Sequence, residues 1–156
     1  MAEFAIVKRL IELDKNENRG SLARLRRGIS SLRHTPDLLS FTDVLSFIPD
    51  DDNHPKRDIP YLLTASLFAL HPHHTDEPIN LGRALKSIAN NDSADKRFRL
   101  IINANRDELP VLLRQAISLV SQGGVSINYH TLLSDLKHWE HPNEFVQQQW
   151  ARSFWS

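Results

Sequence analysis

Residues 61–70, Tyr-Leu-Leu-Thr-Ala-Ser-Leu-Phe-Ala-Leu, are apolar nearly all the way round a helix. A helix of that kind is stable in water only when covered on most sides, so the rest of the chain must supply the cover. Ile59-Pro60 marks its start, because proline is tolerated in a first turn, where its missing N–H costs nothing. We read this run as the centre of an N-terminal lobe.

The other segments have the pattern needed to surround it. Phe4, Val7, Leu10 and Ile11 share one helical face, and Leu22, Leu25, Ile29 and Leu32 share another. The second pattern predicts a helix over 21–32 capped by Ser21. Gly28 inside it either weakens the helix or marks close approach by another backbone. Thr35-Pro36-Asp37 opens helical turns that end near Pro49, and an acidic loop, Asp50 to Pro55, follows.

Beyond residue 70, Asn80 is the expected cap of a helix over 81–89 that Asn90-Asn91-Asp92 ends. Ser93 and Asp107 are the expected caps of two more helices, the latter stopped by Gln122-Gly123-Gly124. Asn128 is expected to cap a helix carrying Leu132, Leu133, Leu136 and Trp139, and a last helix over 142–155 carries Phe145, Val146, Trp150 and Phe154. Val125-Ser126-Ile127 is the one strand candidate, and it is too short to support a sheet. The fold class expected is all-α, as two small packed helical bundles with no significant sheet. The loop at 71–78 divides them into an N-terminal lobe, 1–75, and a C-terminal lobe, 76–156, with packing as one compact body left open.

Composition narrows the function classes. The chain of 156 residues has no cysteine, which excludes disulfides, thiolate nucleophiles and cysteine metal sites. No apolar stretch approaches the roughly 20 residues that span a bilayer. The start, Met1-Ala2-Glu3-Phe4, lacks the basic and apolar regions of a signal peptide. A cytoplasmic protein with no membrane contact is the expectation. Lys and Arg number 19 and Asp and Glu 19, for a formal net charge of zero, so any basic surface must come from segregation rather than excess.

Such segregation is visible. Arg24, Arg26 and Arg27 punctuate Leu22-Ala23-Arg24-Leu25-Arg26-Arg27-Gly28. Arg83 and Lys86 lie opposite Leu81, Leu85 and Ile88, while Arg97 and Arg99 alternate with Phe98 and Leu100. Outward charge is the default on an amphipathic helix, so solvated faces are the first reading of these positions. Their weight as a site comes from arginine outnumbering lysine, since guanidinium grips phosphate in a bidentate fork.

The remaining constellations are weaker. His71-Pro72-His73-His74 with Asp76 lacks helical i, i+4 ligand spacing, and an exposed loop is expected there rather than a metal site. Asp50-Asp51-Asp52 lacks converging geometry for Mg²⁺. No serine lies in a nucleophile motif, and no phosphate-binding glycine loop is present. Trp139 and Trp150 match apolar faces and are expected in the core, while Trp155 is open to either role. No catalytic residue, metal, cofactor or small-molecule substrate is expected. A metal hydrolase built on the histidine loop is the least favoured alternative.

Several of these segments together resemble a family. Leu22 to Gly28, Asn80-Leu81-Gly82-Arg83-Ala84-Leu85, Arg97-Phe98-Arg99-Leu100-Ile101, Arg106-Asp107-Glu108-Leu109 and Trp150-Ala151-Arg152-Ser153-Phe154-Trp155 are similar, in order and spacing, to CasB proteins. CasB is the small subunit of the type I-E CRISPR surveillance complex, Cascade. The resemblance implies an all-helical, non-catalytic subunit present in two copies. Its implied partners are CRISPR RNA, target DNA (especially the displaced strand), and CasA-, CasC-, CasD- and CasE-type subunits. Base pairing reads the target in such complexes, so the protein needs only backbone contacts. The resemblance implies phosphate contacts at Arg24, Arg26, Arg27, Arg83, Arg97, Arg99 and Arg106. Helix-face geometry adds Lys86 and Arg114. A helical adaptor whose arginines pair with acidic protein partners is the alternative.

Overall fold

The structure, a computed structural model, describes residues 3–50, 55–88 and 92–156. The expected acidic block at Asp51 and Asp52 and the expected helix end at Asn90-Asn91 lie outside the described residues.

The central helix forms where the apolar run predicts it. Helix α3 spans Ile59–Leu70, and every residue from Pro60 to Ala69 is buried. Its cover comes from α1 (Ala5–Lys15), α2 (Arg19–Gly28), α6 (Leu109–Gln122) and α7 (Tyr129–Lys137), all packed against it. The buried serine of α3 is satisfied across this contact, with Ser66 Oγ donating to the Leu25 carbonyl at 2.8 Å. Helices α4 (Leu81–Ser87), α5 (Asp92–Ile102) and α8 (Phe145–Phe154) complete the described helices. Buried residues from Ile6 to Phe154 form one apolar cluster. The lobes 1–75 and 76–156 are thus a proposed division of a chain whose core is shared.

Two glycines mark close approaches. A Cβ on Gly82 would lie 2.3 Å from the Trp150 carbonyl oxygen, so α4 and α8 meet backbone to backbone. A Cβ on Gly28 would lie 2.6 Å from the Phe41 ring. That neighbour is a side chain rather than the expected backbone, and the expected helix over 21–32 ends at Gly28 and continues as a 3-10 turn, Ile29–Arg33. Ser31 Oγ donates to the Gly28 carbonyl at 2.6 Å, the kind of side-chain competition that draws a backbone out of α geometry. Residues 38–47 likewise form short 3-10 turns, Leu38–Phe41 and Leu45–Phe47.

Asn80 and Asn128 cap α4 and α7 as expected, accepting from the Arg83 and Thr131 amides at 2.9 and 3.1 Å. Three other caps differ. Asn18 rather than Ser21 caps α2. Ser93 lies inside α5, which begins at Asp92. Ahead of α6, Asn105 and Glu108 bond reciprocally, each side chain accepting the other's amide at 3.1 and 3.0 Å, and this pair takes the place of Asp107.

The histidine loop is exposed only in part: His73, Asp76, Glu77 and Pro78 face solvent, while His71 is buried and His74 half-buried. Its backbone pairs with the strand candidate through a single parallel bridge, His74 to Ile127. His71 is 2% exposed, and its Nε2 donates to the Val125 carbonyl at 2.6 Å. His74 Nδ1 accepts the Tyr129 amide at 3.2 Å, at the start of α7. These imidazoles satisfy backbone groups that burial would otherwise leave without water, which a reading from composition and loop length misses.

Candidate nucleic-acid interface

Helix α2 buries Leu22 and Leu25, and this turns Arg26 and Arg27 to solvent. Helix α6 buries Leu113, Ala116 and Ile117 and turns Arg114 outward. The two faces meet over the C-terminal end of α3. Arg26, Arg27 and Arg114 line a groove of about 550 Å³ floored by Ser66 and Leu70. An adjoining groove is lined by Arg114 again, with Arg97 from α5 and Val111 and Gln115 from α6. No carboxylate lines either groove among the described residues.

The four guanidinium groups differ in how they are held. Arg26 donates to the Ala69 carbonyl at 3.1 Å, one of the carbonyls α3 leaves unpaired at its end. Arg97 donates to Gln115 Oε1 at 2.8 Å, and its Nε is buried without a hydrogen-bond partner. Arg27 and Arg114 are exposed and have no ion pair among the described residues. Neutral oxygens thus orient part of the cluster without cancelling its charge.

The other expected positions lie elsewhere. Arg24 is half-buried and paired with Asp43 at 2.9 Å. Arg99 pairs with Asp95 at 2.7 Å and lies 5.2 Å over the Trp155 ring. That pairing and the Trp155 N–H hold the Asp95 carboxyl below the usual range. Arg106 bonds Glu140 at 2.8 Å. Lys86 is tied to the chain's last residue, donating to the Ser156 carbonyl and to its hydroxyl. Arg83 shares a separate cleft with Arg152, Ser153 and Ser156. Arg152 is exposed on α8, away from buried Trp150, a placement that the helical spacing of the sequence already carries. Trp139 and Trp150 are buried, and Trp155 is 48% exposed.

Among the described residues, no group of three or more His, Cys, Asp or Glu is placed to hold a metal, and no helix is long and apolar enough to cross a membrane. What the arrangement offers is an all-helical scaffold with a fixed cationic groove.

The sequence profile of the CRISPR-associated protein Cse2 family matches residues 21–155, and the chain belongs to that family. CasB is the name carried by family members from Thermus thermophilus and M. ruber. The Cse2 protein of Thermus thermophilus is 38% identical over 96 residues, a stretch covering 61% of this chain and 55% of that relative's length. A crystal structure of a Cse2-family protein from the same organism superposes with a TM-score of 0.80 at 30% identity, covering 96% of this chain and 95% of the other. A chain from a structure of a CRISPR RNA-guided surveillance complex superposes with a TM-score of 0.73 at 25% identity, covering 96% and 87%.

Proposed function

We propose that this protein is a non-catalytic small subunit of a CRISPR RNA-guided surveillance complex of the type I-E Cascade kind, and that its arginine groove holds a nucleic-acid backbone. The observation that carries the reading is the placement of Arg26, Arg27, Arg97 and Arg114 along two adjoining grooves that share Arg114 and lack any carboxylate among the described residues. Family membership and the likeness to a chain of a surveillance complex support the same role. The partners that follow are CRISPR RNA, the target DNA with its displaced strand, CasA-, CasC-, CasD- and CasE-type subunits, and a second copy of the chain.

A groove of this kind stabilises a strand by releasing condensed counterions, which is independent of sequence and weakens with salt. Zero net charge keeps such binding weak for the free chain, and assembly supplies the rest by presenting the strand at high effective concentration. In the assembled complex, replacing Arg27 and Arg114 by alanine weakens target retention alike across sequences. The salt dependence flattens by about 0.7 to 0.9 log units per lost contact. Unchanged affinity at every salt concentration rejects the groove as the binding surface.

A further inference from the structure

A second cationic cleft lies at the other end of α3. It has a volume of about 470 Å³ and is lined by Arg57, Asp58, Tyr61, Arg106, Lys137 and His138, with Pro49 and Pro60 as apolar walls. Its residues come from Pro49, the 3-10 turn Pro55–Asp58, the first turn of α3, the end of α7 and the turn before α6. We propose that this cleft docks an acidic peptide segment of a neighbouring protein.

Its charge is fixed in place and incompletely balanced. The Lys137 ammonium lies 5.3 Å from the Phe4 ring and 5.4 Å from the Tyr61 ring, and it has no carboxylate partner among the described residues. Aromatic faces hold a cation in position without neutralising it. Arg106 is anchored through the Leu136 carbonyl at 3.4 Å and through Glu140, whose side chain is two-thirds exposed. An incoming carboxylate can share that guanidinium, or displace Glu140 into water at small cost, because exposed ion pairs contribute little. His138 donates from Nδ1 to the Ser134 carbonyl, which leaves Nε2 as its second polar atom.

The composition of the wall selects peptide over nucleic acid. A phosphodiester backbone brings repeated negative charge and has acceptor oxygens but no N–H to donate. The arginine grooves match that with cations and no carboxylate among the described residues. The cleft differs in having Asp58 in its wall. A carboxylate there opposes the unbroken charge of a strand, whereas a peptide can set the N–H of an uncharged residue against it and carry its acidic side chains to either side. A peptide segment with acidic side chains supplies both complements, carboxylates for Lys137 and Arg106 and an amide for Asp58, and its side chains pack on the prolines and Tyr61. The proposal is independent of the groove, so either can fail alone.

The test is a backbone-amide NMR titration of the isotopically labelled full chain. One probe is a capped glutamate-rich peptide at about 1 mM, where a weak contact still registers. The other is oligothymidylate. The expected result is that the peptide shifts the amides of Asp58, Tyr61, Lys137 and His138, while oligothymidylate shifts those of Arg27 and Arg114. Lys137→Gln weakens the peptide response at least several-fold and leaves the oligothymidylate response intact. Peptide shifts absent from the cleft, or oligothymidylate shifts centred on it, overturn the proposal. Should Lys137→Gln disturb the whole spectrum, the two perturbation maps of the unsubstituted protein decide the matter by themselves.

Discussion

The indole N–H of Trp150 is donated to the carboxylate of Asp135 at 2.7 Å, joining a fully buried tryptophan to a half-buried acid of α7. Burial pushes the Asp135 carboxyl up from 3.8 to about 6, and the Trp150 bond only partly opposes the rise. The folded state therefore holds this proton more tightly than the unfolded chain does. Its contribution to stability is fully present below about pH 4 and is lost as the pH rises through about 6.

Replacing Asp135 by asparagine keeps an oxygen to accept the Trp150 N–H and removes the titration. Thermal melts of the two proteins from pH 4 to pH 7 should diverge, the asparagine variant gaining on the unsubstituted protein by up to about 2–3 kcal/mol at the upper end. Parallel curves would show that Asp135 stays ionised throughout.

His130 predicts the opposite slope. Its Nδ1 accepts the Phe4 amide at 3.0 Å, at the head of α1, so that nitrogen must be unprotonated. Burial lowers its pKa, as does the neighbouring His74, while Glu3 and Asp76 oppose them and Lys8 adds to the lowering. A histidine depressed on folding contributes stability that is fully present above its unfolded value, about 6.5, and is lost as pH falls below it. Amide exchange at Phe4, corrected for its intrinsic rate, should accelerate as the pH falls below about 6.5, and far less in His130→Gln. Equal pH dependence in both proteins would count against the imidazole.

Arg24 and Arg27 sit three residues apart and should behave differently. Arg24→Ala breaks a partly exposed pair with Asp43 and should cost about 0.5–1 kcal/mol of stability, with little change in strand retention. Arg27→Ala should leave stability within about 0.5 kcal/mol and weaken retention. Urea melts and salt titrations of the assembled complex read both quantities. Equal retention losses would place Arg24 in the interface as well.

Gly82→Ala should be among the most damaging single substitutions. The new methyl would meet the Trp150 carbonyl, and neither backbone can retreat without parting α4 from α8. A loss of about 3 kcal/mol or more is expected by equilibrium unfolding. A loss below about 1 kcal/mol would mean that the two helices have room to separate.

Much of the fold was legible before any coordinates. The all-round apolar run at 61–70 required a covered helix, and Asn80 and Asn128 announced two helix starts through side chains that reach the amide three residues on. What misled were residues with a plausible local role and a stronger distant one. Ser21 looks like a cap, yet it lies in the first turn of α2, where Arg24 donates to its hydroxyl. The histidine loop looks solvated, yet His71 and His74 serve backbone groups more than 50 residues away.

The arginines divide along the same line. Periodicity in the sequence determined that Arg24, Arg27 and Arg114 point away from the apolar stripe of their helices and that Arg26 flanks it, because a 3.6-residue repeat sets direction locally. It could not determine which of them share a groove and which meet a carboxylate. Arg27 and Arg114 are brought together only by the packing of α2 and α6 over the end of α3, and Arg24 meets Asp43 only because the chain folds back through residues 38–47. Helical direction is a short-range property of the backbone. Charge compensation depends on distances between segments far apart in the chain, and those exist only once the core has closed.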